Sequence, residues 1–331
     1  MGSSSPQARI PWVDTAKGVG IILVVIGHTL RGLDGSGVLP FGWKFVDAWI
    51  YAFHMPLFFF LAGLFLEHST RRPLGAFIDS KARRILWPYF IWSILQECLR
   101  HVSGDSDLPL SRLWTIVYKP VMQFWFLYVL FLLLVVYALW RQGGGTWRTF
   151  VILAFFMNIS MMLGMNYGGW GVVYQMGIEI PFLALGVWSS AAQWHAGLPV
   201  LRPAMLWGGA AAGYGIVALG VALAPPGILL LPVVLAVIGI FATVLFSEAL
   251  RRLPSAAVLA TLGVLSLEIF VAHTICSAVW RTGLGALHLN AAFLQIGGGI
   301  LVGLAAPVGL HWLCKKCGLE ILFSLPDRRH G

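Results

Sequence analysis

Three ionisable residues in one apolar stretch could do chemistry together. Pro11 to Arg31 reads P-W-V-D-T-A-K-G-V-G-I-I-L-V-V-I-G-H-T-L-R and holds an acid, Asp14, a base, Lys17, and an imidazole, His28. A buried imidazole stays neutral and can accept a proton near neutral pH. General-base catalysis, attack by the imidazole itself and proton relay are the chemistries open to it. Eleven residues separate Lys17 from His28. On a helix that is about three turns, roughly 16 Å, and within about 20° of the same face. Asp14 lies one turn before Lys17, so the two can pair. Ionisable groups are costly in hydrocarbon and turn toward an interior or a cavity. The stretch therefore reads as a functional helix with one end at each side of a membrane.

The composition requires that membrane. Hydrophobic residues make up 59% of the 331 and charged residues 11%, against about 25% charge in soluble domains. Long apolar runs broken by Gly and Pro indicate helices rather than the alternating strands of a barrel. The chain reads as an all-α polytopic membrane protein with a polar cavity lined by its first helix. About ten spans are expected: 13–33, 47–66, 85–99, 121–140, 149–165, 172–190, 204–223, 228–246, 258–279 and 291–313. Residues 1–12 form a short cytoplasmic tail without a cleavable signal, 13–313 one membrane domain, and 314–331 a second cytoplasmic tail. With the N-terminus inside, the inner segments hold fifteen Lys and Arg and the outer ones six, so both termini are expected in the cytoplasm. The net charge of +9 is spread over short loops and is no nucleic-acid signal. Cys314 and Cys317, a lone C-K-K-C, make a poor zinc site, and no metal is expected.

Other chemistry-bearing residues follow along the chain. The second span contains F-H-M-P-L-F-F-F-L-A-G, residues 53–63, where Pro56 should break or kink a helix. The loop after it ends in K-A-R-R-I-L-W-P-Y-F-I-W, carrying Lys81, Arg83 and Arg84. Trp87, Tyr89 and Trp92 are residue types of a membrane interface. Q-F-W-F-L opens the fourth span with Trp125. Glu179 lies in M-G-I-E-I-P, and Glu268 and His273 lie in L-S-L-E-I-F-V-A-H-T.

These motifs together resemble the membrane-bound acyltransferase type 3 family. Its first-span pattern is an Asp, a basic residue three positions on, and a His eleven further; Asp14, Lys17 and His28 match it, with Gly18 after the base. F-H-M-P-L-F-F-F-L-A-G resembles the family's M-P-x-F-F-x-x-S/A-G element, and the third-span approach, W-F-L and S-L-E-I-F-V-A-H also have counterparts. The resemblance implies a ten-span enzyme of the bacterial inner membrane that moves an acyl group, here acetyl from cytosolic acetyl-CoA, to a hydroxyl of an envelope or exported glycan. It implies His28 as general base, Lys17 holding the donor with Asp14 orienting it, and Lys81, Arg83 and Arg84 holding the phosphates of coenzyme A. Two departures stand out. The base is Lys17 where many members have Arg, and the inner loop lacks a clean pair of arginines four apart.

Each assignment has a plainer counterpart. His28 could simply bond a backbone carbonyl between helices, Asp14 and Lys17 could be a structural ion pair, and Lys81, Arg83 and Arg84 could only set topology. His54, Trp125, Glu179, Glu268 and His273 are cavity candidates, and each could be a satisfied interhelical group. Trp125 and Trp170 could stack on a sugar. The expected partners are a glycan or lipid-linked sugar acceptor and membrane lipids, with room for a homo-oligomer. Two other functions use the same residues: a proton-coupled transporter, for which neither repeats nor matched broken helices are evident, and an acyltransferase acting on a lipid or small molecule.

Overall fold

The structure is a computed structural model. It describes residues 10–326, except 105, 107, 108, 166, 167, 226 and 255 and the side chains of 195–197. Arg9, Arg328 and Arg329 of the charge count, most of the 1–12 tail and the last residues of the 314–331 tail lie outside the described residues.

Among the described residues the fold is helical throughout, without strands. The α-helices are α1 (Pro11–Gly32), α2 (Trp43–Tyr51), α3 (His54–Gly63), α4 (Leu66–Ser69), α5 (Leu74–Lys81), α6 (Trp87–Ser103), α7 (Trp125–Gln142), α8 (Trp147–Met162), α9 (Gly171–Ala192), α10 (Pro203–Leu223), α11 (Leu231–Arg251), α12 (Ala256–Val264), α13 (Ser266–Ala286) and α14 (Gly299–Lys316). Among the described residues seven spans are long and apolar enough to cross a membrane, α2 with α3 counting as one; α12 and α13, bent by 82° at Leu265, would make an eighth. The count of ten is reached only if α6, with 17 residues, and α8, with 16, are also spans. The protein is thus a multi-pass helical membrane protein.

α1 is the axis of the bundle. Pro11 occupies its first turn, where a missing N–H costs nothing, and Asp14 and Arg31 sit at the ends that complement the helix dipole. Small residues let neighbours reach it. A Cβ on Gly18 would lie 2.0 Å from the carbonyl oxygen of Leu259, and one on Gly263 would lie 1.7 Å from that of Asp14, so α1 and α12 touch backbone to backbone. α3 and α9 cross in the same way at Gly63 and Gly186. In lipid, where apolar burial supplies no net drive between helices, such close approach is what holds them.

Two proline breaks shape the interior. The second span breaks at Ala52 and Phe53, which leaves Pro56 in the first turn of α3, where no helical N–H is needed. In α9, Pro181 lies inside the helix, so the Gly177 carbonyl four residues back loses its usual donor. Asn158 of α8 supplies the replacement: its Nδ2 donates to Gly177 O at 3.1 Å and to Ile178 O at 3.2 Å. This repair fixes the segment of α9 that carries Glu179.

The chain beyond α14 folds back beneath the start of α6. The Trp87 indole donates to the Ile321 carbonyl at 2.7 Å and that of Trp92 to Leu322 at 2.8 Å. Tyr89, expected at the interface, is instead fully buried, with its hydroxyl donating to the Ile116 carbonyl. The reason is the segment Leu110–Val117, a 3₁₀ helix that packs against α6 rather than lying out in solvent.

Candidate active site

The ends of α1, α6, α10 and α13, the start of α11 and the break between α2 and α3 surround a cavity of about 1500 Å³. Its rim carries Arg31, Arg100 and Arg281, and its wall carries His28, Tyr51, His54, Gln96, Gln123, Trp125 and Glu179. Phe182 and Phe270 also line it.

Histidines from three helices gather here: His28 and His54 line the wall, and His273, a cavity candidate from the sequence, is buried behind it. The ring of His28 on α1 lies 5.1 Å, centroid to centroid, from that of His273 on α13. His273 is fully buried, and its Nδ1 faces the carbonyls of Phe270 at 2.8 Å and Ile269 at 3.0 Å. His54 at the start of α3 does the same with Ile50 at 2.9 Å. A carbonyl only accepts, so in both rings Nδ1 carries the proton. Nε2 of each is left with a lone pair and no partner among the described residues. His28 itself is half-buried and makes ring contacts rather than hydrogen bonds among the described residues.

Tyr51 links the group. Its ring stands edge-on to His54 at 4.5 Å and to His28 at 6.4 Å. The guanidinium of Arg31 covers its face at 3.1 Å from the centroid. Arg31 is itself held by Asp47 through Nε at 2.8 Å and Nη2 at 2.9 Å. A Cβ on Gly27 would come within 2.9 Å of the Tyr51 ring, so glycine is needed there. The phenol oxygen is buried without a hydrogen-bond partner among the described residues, as is Oε2 of Glu179. Opposite, Gln96, Gln123 and Thr274 satisfy one another, with Gln123 Nε2 donating to Gln96 Oε1 and to Thr274 Oγ1, both at 2.8 Å.

Not every candidate from the sequence lies here. Glu268 sits in the first turn of α13, with one oxygen 3.7 Å from Nδ1 of His311, and does not line the cavity. Asp14 and Lys17 are half-buried near the other end of α1, and the cavity reaches neither. On the face between Lys17 and His28, Ile21 and Val24 are fully buried, and the Phe58 ring packs on Gly20. The cavity that α1 lines therefore ends at His28, with these side chains packed between it and Lys17.

The inner basic residues divide. Arg83 donates from Nε to Asp79 at 2.7 Å and from Nη1 to the Pro326 carbonyl at 3.0 Å, so it ties down the returning chain end. Arg84 is exposed. Burial pushes the half-buried Lys81 ammonium below its usual pKa, and Arg84, Arg72 and Lys17 push it further down. Arg84, Arg72 and Lys17 thus lie near enough to act on the charge of Lys81. Trp87, expected at the interface, is pinned by the chain end as described above.

Tyr51, Gln96, Gln123 and Arg281 were not legible as site residues. Single polar residues in apolar runs were their only signal, and that signal does not separate a cavity wall from a helix contact. Among the described residues no group of His, Cys, Asp and Glu could hold a metal ion.

A many-helix membrane protein with a histidine-walled cavity behind broken helices is the class these features define. The chain belongs to the acyltransferase 3 family, whose sequence model, described as an acyltransferase domain, matches residues 10–312. It is 29% identical to the nodulation protein NolL of Mesorhizobium japonicum over 127 residues, 36% of this chain and 32% of that protein. To NolL of Sinorhizobium fredii it is 33% identical over 129 residues, 35% and 32% of the two chains. The matches thus span about a third of the length of these curated relatives. No solved structure matches the chain.

Proposed function

We propose that the protein is an O-acyltransferase of the bacterial inner membrane, moving an acetyl group from cytosolic acetyl-CoA to a hydroxyl of an envelope or exported glycan that enters the cavity. The carrying observation is the cavity wall at His28, where an imidazole with no hydrogen bond among the described residues meets the rings of Tyr51 and His273. In this reading the chain makes ten crossings with both termini inside, and the arginine rim faces outward. The residues 13–313 act as one domain.

The chemistry follows from the groups present. His28 takes the proton of the acceptor hydroxyl as its oxygen bonds to the thioester carbonyl carbon. The Tyr51 phenol, which lacks a partner among the described residues, donates to the oxyanion that forms. As the carbon–sulfur bond breaks, the imidazolium returns its proton to the leaving thiolate. His273 and His54 keep Nδ1 protonated on backbone carbonyls, so their Nε2 atoms can only accept. Both could therefore also take a proton, but His273 does not line the cavity, and of the three only His28 belongs to the first-span motif. Trp125 on the wall is suited to stack on a sugar ring.

The donor fits the opposite end. Lys81, Arg84, Arg72 and Lys17 gather positive charge suited to the phosphates of coenzyme A. Arg83 contributes less, because Asp79 and the chain end already occupy it. The structure is then a closed state, in which Phe58, Ile21 and Val24 must shift for the thioester arm to reach His28.

The broken helix at Leu265 is a feature of carriers, but the family match over residues 10–312 favours acyl transfer. An acceptor that is a lipid or a small molecule uses the same residues. Purified protein with labelled acetyl-CoA and extracted envelope glycans tests the proposal: label transfer that is lost in His28→Ala supports it. Transfer retained by a correctly inserted His28→Ala protein overturns the assignment.

A further inference from the structure

The cavity rim carries three arginines in unequal states. Arg31 is neutralised by Asp47 through two hydrogen bonds. Arg100 donates to Glu97 at 2.9 Å, and the other oxygen of Glu97 accepts from Ser106 at 2.8 Å. Arg281, near the end of α13, has neither a hydrogen bond nor an ion pair among the described residues, although it is half-buried. Asp47 and Glu97, the carboxylates that pair with the other two rim arginines, are thus already engaged.

Arg281 is also placed with respect to His28. Its Nη1 lies 2.5 Å from where a Cβ on Gly32 would stand, so the guanidinium packs directly on the bare backbone of α1. Gly32 follows His28 by four residues on the same face of α1, about 6 Å along the axis. A half-buried cation without a counter-charge is costly to keep. A guanidinium at such a point matches a carboxylate or phosphate by two parallel hydrogen bonds.

We propose that the acceptor bound in this cavity is anionic, and that Arg281 holds its carboxylate or phosphate about one helical turn from the hydroxyl that His28 activates. The proposal rests on reading the cavity as the acceptor site. It places the anion on the sugar that is acylated or on its immediate neighbour. Carboxylate and phosphate are the same chemistry to this arginine, and the test separates them.

The protein in zwitterionic-lipid nanodiscs is titrated calorimetrically with methyl glucuronide, glucose 1-phosphate and the neutral methyl glucoside. Wild type should bind at least one anionic sugar about tenfold or more tightly than the neutral one, as expected for a charge-assisted pair. Arg281→Gln should abolish that gap, and Arg281→Lys should narrow it without removing it. The anionic probe that shows the gap identifies the source. Equal binding of all three probes, no binding of either anion, or a gap that survives Arg281→Gln overturns the proposal. If Arg281→Gln fails to insert, Arg281→Lys decides, and an unchanged gap there overturns it. His28→Ala should keep the gap while losing acetyl transfer. A His28→Ala protein that still transfers acetyl, with a gap that depends on Arg281, would remove the base and leave the anion site standing.

Discussion

The rings of His28 on α1 and His273 on α13 lie 5.1 Å apart, although the two residues are 245 positions apart in the chain. Only one of the two lines the cavity and can meet a bound hydroxyl. His273 is fixed by the Ile269 and Phe270 carbonyls, whereas His28 faces the cavity. His28→Ala should therefore lower kcat for acetyl transfer by about 10²–10⁴-fold, the range of a lost general base. His273→Ala should act through ring placement, lowering kcat less and leaving the donor KM unchanged. Steady-state kinetics on both variants checks this; an equal loss in the two would make His273 a second proton carrier.

Tyr51 should matter through its oxygen alone. Arg31, Asp47 and Gly27 hold the ring, so Tyr51→Phe keeps the geometry and removes only the donor. The kcat should fall about 10²–10³-fold, as when an oxyanion donor is removed, with the acceptor KM little changed. Asp47→Asn, which loosens Arg31, should reproduce part of that loss. A Tyr51→Phe protein with full kcat would exclude the phenol from the transition state.

Donor binding should weaken as pH rises. Burial, then Arg84, Arg72 and Lys17, lower the pKa of Lys81. The ammonium is charged below that lowered pKa and neutral above it. Attraction for donor phosphates is thus complete at low pH and lost earlier on the alkaline side than an ordinary lysine would allow. The donor KM of wild type should climb with alkaline pH, and that of Lys81→Arg should stay flat, because a guanidinium does not titrate there. Charge reversal of Lys81 and Arg84 together should raise the donor KM at every pH. Parallel pH profiles for wild type and Lys81→Arg would remove Lys81 from the donor site.

The repair of α9 can be measured by a double-mutant cycle. Asn158 donates to the Gly177 carbonyl that Pro181 leaves without its helical donor. Asn158→Ala should cost about 1–3 kcal/mol for the orphaned carbonyl. On a Pro181→Ala background, the restored N–H should meet that carbonyl, and the same substitution should cost less. Thermal unfolding in detergent gives both numbers, and equal costs would mean that Asn158 acts by packing alone.

The sequence by itself determined the class and the positions of the first motif. Burying 59% hydrophobic residues beside 11% charge leaves few options but helices in lipid, since backbone groups there must bond within their own segment. The eleven-residue interval from Lys17 to His28 set both residues on one face of α1, because helix geometry depends only on spacing. What lay between them did not follow from spacing: the fold packs Ile21, Val24 and Phe58 into that interval and ends the cavity short of Lys17.

Tertiary structure also decided which polar residues share a wall. Glu268 and His273 are five residues apart, yet one turns to His311 and the other to His28. Tyr51 and Arg281 reach the site through a broken helix and through the glycines Gly27 and Gly32. The physical reason is that a helix repeat fixes direction around one axis only. Which neighbour stands on each side depends on how closely the backbones approach, and that is set by pairs of small residues, such as Gly18 with Gly263 and Gly63 with Gly186, whose partners no local pattern names.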